Sequence, residues 1–551
     1  MTFTAVTFAP VQSFIRSSRK LRDLYGSSLL LSHLARALHD DAIRQLNDQD
    51  AVISPAEVDA TRGVPNTLLI QGDYARQQAE SALLAAWGQS LEACRTWLET
   101  TLQGTSIDPG DWEQGWGASW KACKCHSWEL FHGQGNTIAE AQESLSCAKQ
   151  RRAWEIPNWT GESSTLSSVE AIVRPRMAEK HDPRFADSRA QQQEARAFLE
   201  TLRAIPALGE AFAGTNEEIS LTELVKRLVT YRPIANKAFH GSPGQLDDII
   251  PSRFRPLGGG QAAEVADRSE SIVWFMADGD KVGDHLRQLS GSADEVEARR
   301  TFSREMRSWA ASLYREVPEQ MGGDRATVVY AGGDDLFGAL HESRPGLRDL
   351  SRDDLFQWLR LFPQLWQQNG QANLTASMGL VWADSQVPQR EALQHARDAE
   401  ATAKARGRDR FALRLLYAGG NHLQWTCPWG WFEAILSHYR DREGRRSGGH
   451  GANAKPPSWR HLAEDLHWLQ ERHAIGDAIH LGATDAAARA ERSERAEAVA
   501  KGLFEAYFPG WAPPPKPEVG RRLDQWLIDL GLVMAGLERW RDCRRREEEA
   551  A

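Results

Sequence analysis

The chain has 551 residues, of which 41% are hydrophobic and 26% are charged. At roughly 150 residues per domain this length predicts about three or four domains, and the composition excludes general disorder. The formal net charge of −9 excludes a surface that binds polyanions everywhere, so we expect any contact with nucleic acid to be local.

The sequence predicts a cytoplasmic protein without membrane contact. Its start, MTFTAVTFAP, lacks a basic segment followed by an apolar signal core, and no stretch approaches the roughly 18 apolar residues of a membrane helix. Six cysteines scattered over the chain are too few for a disulfide framework.

Hydrophobic patterns divide the chain into five regions. TFTAVTF alternates as a strand does, and a helix, a strand at 66–71 and a helix over 75–102 follow it. The predicted regions are 1–103, an α/β unit; 104–185, an irregular insert rich in Trp, Gly and Ser; 186–265, helical; 266–420, strands and helices; and 421–551, a C-terminal helical docking domain.

The region 266–420 has the clearest pattern. An apolar run at 271–277 predicts a central strand, and residues 326–340 predict a β-hairpin with two acids at its tip. A third apolar run at 373–383 precedes a helix over 388–406 with an alanine face and a last strand. This order predicts a ferredoxin-like palm and therefore an α+β fold.

Three acidic residues are predicted to meet at one edge of this sheet. Asp278 ends the first strand, and Asp334 and Asp335 lie at the tip of the hairpin. Because three carboxylates that close repel one another, the arrangement favours two Mg²⁺ or Mn²⁺ ions that compensate their charge. Two such ions are the known device for nucleotidyl transfer, one activating the attacking hydroxyl and one holding the triphosphate.

Neighbouring residues suit the same chemistry. Gly332 and Gly333 form a turn without side chains, which lets the backbone approach phosphates closely. Lys404, at the end of the alanine-faced helix, is placed to reach a triphosphate as a point charge. Taken alone, Gly-Gly-Asp-Asp is an ordinary hairpin turn and Lys404 a solvated helix end. Their combination with Asp278 on an upstream strand favours a site.

Five segments of the chain have the character of family motifs. They are VTFAPVQSFIRSSRKLRDLYGSSLLLSHL at 6–34, STLSSVEAI at 164–172, DGDKVGDHL at 278–286, AGGDDLF at 331–337, and ASMGLVWADSQVPQREALQHARDAEATAKARGRDRFAL. Together they resemble one family, the large palm-domain subunit of type III CRISPR effector complexes, most closely its Cmr-type branch. The last segment is also similar to the end of GGDEF-type cyclases.

The resemblance implies two palms that face each other, 1–103 and 266–420, with a helical thumb over 186–265. It implies ATP as the substrate and a cyclic oligoadenylate second messenger as the product, made when the complex binds target RNA. The other subunits of the complex and a guide RNA are the further partners that it implies. Within the catalytic palm, Gly279 and Asp280 are expected to contact the nucleotide beside the three acidic residues.

The two palms are unequal in sequence. The first strand of the first palm carries no acid at its end, and the segment LLIQGDY, compared with the catalytic hairpin, offers only Asp73. We therefore expect the first palm to be catalytically silent and to hold an acceptor nucleotide, with Arg19 or Lys20 near its phosphates. A solvated first helix explains these two residues equally well. Since one chain contains both palms, we expect it to be monomeric when isolated.

The sequence departs from the family in two places. Many members begin with an HD nuclease domain, whereas this chain begins at the first palm, and its His39-Asp40 and His181-Asp182 pairs lack the further histidines of a metal nuclease. We therefore expect no DNA cleavage. The family's zinc module is represented only by a degenerate region, where we expect no zinc because Cys-x-Cys is poor spacing for a tetrahedral site. Its candidate ligands are Cys123, Cys125, His126, His132 and Cys147.

Three other functions remain open at this stage. A free-standing GGDEF-like cyclic dinucleotide synthase needs two identical active palms, which this chain does not contain. A scaffold with a decayed palm is disfavoured because a retired site has no physical reason to keep repelling carboxylates together. The same palm can also join AMP to S-adenosylmethionine, as in some relatives, and the sequence does not distinguish that product from a cyclic oligoadenylate.

Overall fold

A computed structural model describes most of the chain. Contacts between residues divide it into two compact units, each assembled from several segments. The first unit contains Met1–Asp267, Val282–Glu316 and Val328–Asp334, and the second contains Arg268–Lys281, Val317–Thr327 and Asp335–Ala551. The described residues are 2–58, 63–109, 112, 115–151, 162–177, 188–206, 208, 212–214, 217–239, 271–292, 294–323, 325–341, 350–371, 373–384, 386–447, 456–512 and 518–550.

An antiparallel sheet of four strands lies in the first unit, in the order β2-β3-β1-β4. Its strands are β1 (Phe3–Ala9), β2 (Val52–Ser54), β3 (Thr67–Gln71) and β4 (Glu129–Gly135). The helices of this part of the chain are α1 (Gln12–Arg16), α2 (Leu21–Leu46), α3 (Arg76–Thr101), α4 (Gly115–His126), α5 (Ile138–Gln150), α6 (Ser188–Arg203), α7 (Leu221–Leu228) and α8 (Arg232–Ala238).

Alternation along β1 gives this sheet two apolar faces. Val6 and Phe8 face the large core that α2 and α3 share, whereas Phe3 and Ala5 face a smaller core beneath α5. Successive side chains of a strand point to opposite faces, so one short strand supplies both cores.

A second sheet has six strands in the order β10-β9-β8-β5-β7-β6. The strands are β5 (Ile272–Gly279), β6 (Ala326–Gly332), β7 (Asp335–Leu340), β8 (Ala376–Ala383), β9 (Arg410–Leu416) and β10 (His422–Pro428). The remaining helices are α9 (Val282–Gln288), α10 (Glu295–Gln320), α11 (Arg352–Trp366), α12 (Gln389–Ala405), α13 (Phe432–His438), α14 (Arg460–Glu471), α15 (Ala486–Tyr507) and α16 (Leu523–Ala550), with 3₁₀ turns at Gln367–Asn369, Trp429–Trp431 and Asp477–His480.

The two sheets share one topology. In each, the chain order of strand, helix, two strands, helix and strand gives a sheet in which the first strand lies between the third and the fourth. This is the ferredoxin-like arrangement, and it confirms the predicted α+β class with two palm-like sheets. In the second sheet α11 is the helix between the third and fourth strands of this arrangement. Beyond the fourth strand, β8, the chain continues through α12 to β9, which pairs with β8 in parallel.

Three local predictions differ from the structure. The region after residue 420, predicted to be helical, begins with β10, whose Trp425 and Cys427 are buried against β9. The insert predicted to be irregular supplies β4, the fourth strand of the first sheet. The counterpart in the first sheet of the hairpin with two acids at its tip is the connection between β2 and β3, whereas the segment LLIQGDY begins within β3 and carries Asp73 beyond the end of that strand. The pairing of β4 with β1 joins distant parts of the chain, which a short window of sequence does not record, whereas β10 forms a hairpin with the neighbouring β9.

Some predictions lie outside the described residues, namely those that concern His181 and Asp182. Over the part of the chain that is described, no helix combines the length and the apolar character needed to cross a bilayer.

Candidate active site

The edge of the second sheet brings two of the predicted acids face to face. Pairing between β5 and β7 runs to Ala277 opposite Leu336, and one step further along the same register lie Asp278 and Asp335. Residues directly opposite in an antiparallel pair have Cβ atoms roughly 4.5–5.5 Å apart on the same face, and like charges there are destabilising. This edge therefore favours a cation.

Lys404 supplies positive charge at this edge. Its Nζ atom contacts Oδ2 of Asp278 and lies 2.7 Å from Oε1 of Glu400, one helical turn earlier on α12. Burial by itself lowers the pKa of Lys404, but the hydrogen bonds and negative charges of Asp278 and Glu400 outweigh it and raise that pKa. The ammonium group is thus held charged beside the carboxylate.

Glu400 was not predicted as a site residue. Burial raises its pKa, against the opposing effect of the hydrogen bond and charge of Lys404. The spacing of four residues between Glu400 and Lys404 is the signal in the sequence that marks two side chains on one helical face.

A close contact between α12 and β8 carries Lys404 to this edge. A Cβ atom on Gly379 would lie 2.2 Å from the carbonyl oxygen of Ala396 and 2.3 Å from the amide nitrogen of Glu400, so only glycine fits. The predicted alanine face is confirmed, since the side chains that α12 turns towards the sheet are small and buried. They are Ala392, Ala396, Ala399 and Ala403.

The Gly-Gly-Asp-Asp sequence spans the turn from β6 to β7. Gly332 ends β6, Gly333 has a φ of 79°, and Asp334 precedes the first residue of β7. A positive φ is readily adopted by glycine and costs other residues about 1 kcal/mol or more, which explains the glycine at position 333. Asp334 is half-buried in this turn, and Asp335 is exposed.

Gly279 and Asp280 follow Asp278 but have different surroundings. Gly279 ends β5 and pairs with Ala376 of β8. Asp280 is buried, and its carboxylate accepts hydrogen bonds from the hydroxyl groups of Thr375 at 2.8 Å and Ser377 at 2.7 Å.

Among the described residues, no three His, Cys, Asp or Glu side chains are arranged to hold a metal ion. That statement covers the catalytic edge, where the ammonium of Lys404 contacts Asp278. It also covers the degenerate region: Cys123, Cys125 and His126 lie on α4, which is a helix and not a ribbon. His132 lies on β4, where its Nε2 atom is 2.7 Å from the carbonyl oxygen of Tyr74, and Cys147 lies on α5.

Arg19 and Lys20 lie at the start of α2, beside a buried ionic cluster. Lys20 is 3.5 Å from Glu217, and burial lowers its pKa despite that partner. Arg227 is fully buried at the centre of the cluster and binds both Asp23 and Glu217. Arg19 donates a long hydrogen bond of 3.5 Å to the carbonyl oxygen of Thr165. Lys20 therefore has an acidic partner within the chain itself.

The end of β1 and the start of β3 correspond in topology to the end of β5 and the start of β7, where Asp278 and Asp335 lie. In the first sheet these positions carry hydroxyl and amide groups. Thr7 pairs with Thr67 in the register of β1 and β3, and their hydroxyl oxygens are 3.1 Å apart. The amide nitrogen of Asn66 donates to the hydroxyl of Thr7 at 3.0 Å. At these positions the two palms differ in chemistry although they share a topology.

Comparison with protein families finds a match to part of each sheet. Residues 272–412 match the second palm domain of Cas10/Cmr2, and residues 3–87 match the N-terminal region of the CRISPR-associated protein Cmr2. Both segments belong to the Cas10/Cmr2 family. The resemblance predicted from the motifs is thereby confirmed, and the Cas10/Cmr2 palm segment contains Asp278, Asp335 and Lys404.

Solved structures resemble the chain at low sequence identity. A cryo-EM structure titled as type III-B Cmr-beta in the apo state has 10% identity and a TM-score of 0.53, covering 97% of this chain and 81% of that one. A Csm1–Csm4 cassette in complex with cA4 has 13% identity and a TM-score of 0.45, covering 97% and 70%. The cassette in complex with pppApApA has 15% identity and a TM-score of 0.47, covering 97% and 69%. The first of these supports the Cas10/Cmr2 fold. No curated protein matches the sequence.

Proposed function

We propose that this chain is the palm-bearing catalytic subunit of a type III CRISPR effector complex. Its second palm converts ATP into cyclic oligoadenylates by forming 3′–5′ phosphodiester bonds and releasing pyrophosphate. The proposal is supported by the contact of Lys404 with Asp278 and by the pairing of β5 with β7, whose last pair, Ala277 and Leu336, adjoins Asp278 and Asp335 inside the segment that matches the Cas10/Cmr2 second palm.

The residues at this edge fit divalent cations. Two carboxylates face each other across the sheet, one of them already paired with an ammonium group, and carboxylate oxygen is the ligand that Mg²⁺ and Mn²⁺ prefer. Asp278, Asp334 and Asp335 would hold the ions. When bound, such ions neutralise charge on a triphosphate and activate an attacking hydroxyl.

The chain's other residues bind and orient the nucleotide. We assign Lys404 to the triphosphate in the nucleotide-bound state, because phosphate oxygens offer the same charge-assisted hydrogen bond that Asp278 offers without it. The turn at Gly332 and Gly333 presents backbone without side chains, which admits phosphate groups to short range. The first palm, with hydroxyl and amide groups in place of carboxylates, is assigned to the acceptor nucleotide.

The proposed partners are the other protein subunits of the complex, the guide RNA and the target RNA. The net charge of −9 confines RNA contact to part of the surface. Binding of target RNA is the proposed activating event, so the catalytic edge should be productive only in the assembled complex.

The proposal is tested by incubating the assembled complex with radiolabelled ATP and Mg²⁺, with and without target RNA. We expect cyclic oligoadenylates by mass spectrometry only when target RNA is present. Replacing both acids, Asp334→Asn with Asp335→Asn, should abolish the product and leave RNA binding unchanged. Asp73→Asn, at the acid that follows β3 of the first sheet, is the matched control and should retain activity.

Three other results would replace the proposal. An adduct of AMP formed only when S-adenosylmethionine is supplied would assign the same palm to that transfer. A complex that binds RNA but makes no product would be a scaffold. Product formation by the double variant at the wild-type rate would overturn the site assignment.

A further inference from the structure

The carboxylate of Asp280 joins three segments of the chain. It accepts hydrogen bonds from the Thr375 hydroxyl at 2.8 Å, the Ser377 hydroxyl at 2.7 Å and the backbone N–H of Asp409 at 2.9 Å. The N–H of Asp280 also donates to the carbonyl oxygen of Thr375 at 2.7 Å. The end of β5, the start of β8 and the turn after α12 are thus tied to one buried side chain.

The turn after α12 has a backbone conformation that is unfavourable for most residues. Gly407, Arg408 and Asp409 all have positive φ values, of 134°, 62° and 50°. Non-glycine residues in this region cost about 1 kcal/mol or more each and persist only when surrounding contacts hold them. The contacts here include the bond from the Asp409 N–H to Asp280 and a bond of 3.1 Å from the Arg408 N–H to the carbonyl oxygen of Ala403. The carbonyl oxygens of Arg408 and Asp409 also accept hydrogen bonds, from Nε of Arg410 at 3.0 Å and from the Trp429 N–H at 3.2 Å.

The three tied segments carry the ion pair of the active site. Asp278 lies two residues before Asp280 and is paired in register with Ser377, one of the donors to Asp280. Lys404 lies five residues before Asp409, another of the donors. One carboxylate therefore fixes both backbones from which the ion pair extends.

We propose that Asp280 is a positioning residue of this palm, which sets Asp278 and Lys404 relative to each other and does not itself bind metal. The inference rests on the proposed function and reassigns a residue that the sequence placed at the nucleotide. Its three side-chain bonds use both carboxylate oxygens, and all three donors are neutral groups. The chemistry it provides is hydrogen bonding, which an amide can largely reproduce.

The test compares Asp280→Asn with Asp280→Ala in the full chain. The amide oxygen of asparagine can accept from the Asp409 N–H, and its amide group can donate to the Ser377 hydroxyl. Alanine leaves all three donors without an acceptor. The matched control is Asp354→Ala, because Asp354 is equally buried, at 4% exposed, and accepts from Ser351 at the start of α11.

Two quantities are measured for each variant. The first is the affinity for Mn²⁺ without nucleotide, by electron paramagnetic resonance, and the second is the pair KM and kcat for ATP in the assembled complex. We expect Asp280→Ala to raise KM by about tenfold and to weaken Mn²⁺ binding, and Asp280→Asn to restore both to within about twofold of wild type. Asp354→Ala should lower the thermal midpoint as much as Asp280→Ala does, but Asp354→Ala should leave KM unchanged. Should Asp280→Ala not fold, Ser377→Ala removes one donor and should raise KM in the same direction by a smaller factor.

Two results for the variants would overturn the inference, and one result for wild type would overturn it together with the proposed function. If Asp280→Asn weakens Mn²⁺ binding as much as Asp278→Asn does, Asp280 is a metal ligand. If Asp354→Ala raises KM as far as Asp280→Ala does, the rise in KM reflects a general loss of stability. If wild type binds Mn²⁺ but forms no product, the proposed function fails while the Mn²⁺ series still decides the role of Asp280. Wild type that binds no Mn²⁺ overturns both.

Discussion

Asp529 on α16 is expected to make the stability of the C-terminal helices depend on pH. Its side chain contacts Arg521 and lies 3.9 Å from Arg406, yet it is mostly buried. Burial outweighs the hydrogen bond and charge of Arg521 and raises the pKa of Asp529 from 3.8 to about 6. Nearby Glu518 raises it further through its negative charge.

The direction of the effect follows from proton binding. Between about pH 4 and pH 6 the folded state holds this proton more tightly than the unfolded state does, so the free energy of unfolding falls as pH rises. A shift of about two units at 1.36 kcal/mol per unit gives a cost of about 3 kcal/mol above pH 6, as an upper limit. Asp529→Asn resembles the protonated acid and should escape this cost.

Hydrogen exchange of the α16 amides, followed by mass spectrometry from pH 4.5 to pH 8, measures the local opening free energy. The variant should exceed wild type by about 1 kcal/mol at pH 4.5 and by up to about 3 kcal/mol at pH 8. The control is Asp477→Asn, an exposed acid that accepts a hydrogen bond from Gln525 of the same helix, and it should show no such trend. A variant less stable than wild type at pH 8 would refute the reasoning, because the ion pair with Arg521 would then exceed the cost of burial.

Three further predictions concern named contacts. Lys404→Met removes the cation from Asp278, so the affinity for Mn²⁺ without nucleotide should rise and the affinity for ATP should fall by about tenfold. Calorimetry measures both affinities, and a fall in both would contradict the pairing. Arg227→Met leaves Asp23 buried without its ion-pair partner and leaves Glu217 with Lys20 alone, and denaturant unfolding should show a loss of about 3–5 kcal/mol; a loss below about 1 kcal/mol would contradict the buried cluster. Gly379→Ala places a Cβ atom against α12 and should cost about 1–3 kcal/mol by thermal unfolding and lower ATP turnover, whereas unchanged values would show that the helix can shift freely.

Elements with a strong local pattern could be predicted from the sequence. The apolar run of β5, the Gly-Gly turn between β6 and β7 and the alanine face of α12 each depend on residues within a few positions of one another. The steric demands of glycine and the periods of strand and helix act over that range, so a short window contains the information. The α+β class and the family follow from the same local motifs.

The partners of charged residues could not be predicted in this way. Lys404 was expected at the triphosphate and contacts Asp278, 126 positions away, and Lys20 was expected near phosphates and lies beside Glu217. Asp280 was grouped with Asp278 because it lies two residues along the chain, yet its carboxylate is buried among hydroxyl groups of β8. Which acid faces solvent and which faces the interior depends on the strand that pairs beside it.

Residue type and short spacing are sufficient to predict the α+β class, the resemblance to the family and the carboxylates at the ends of β5 and the hairpin. The folded structure was needed to show that β4 completes the first sheet, that Lys404 contacts Asp278, and that Asp280 ties three segments together. These features arise from contacts between residues far apart in the chain. Such contacts form through the burial and hydrogen bonding of the whole fold, and no local pattern encodes them.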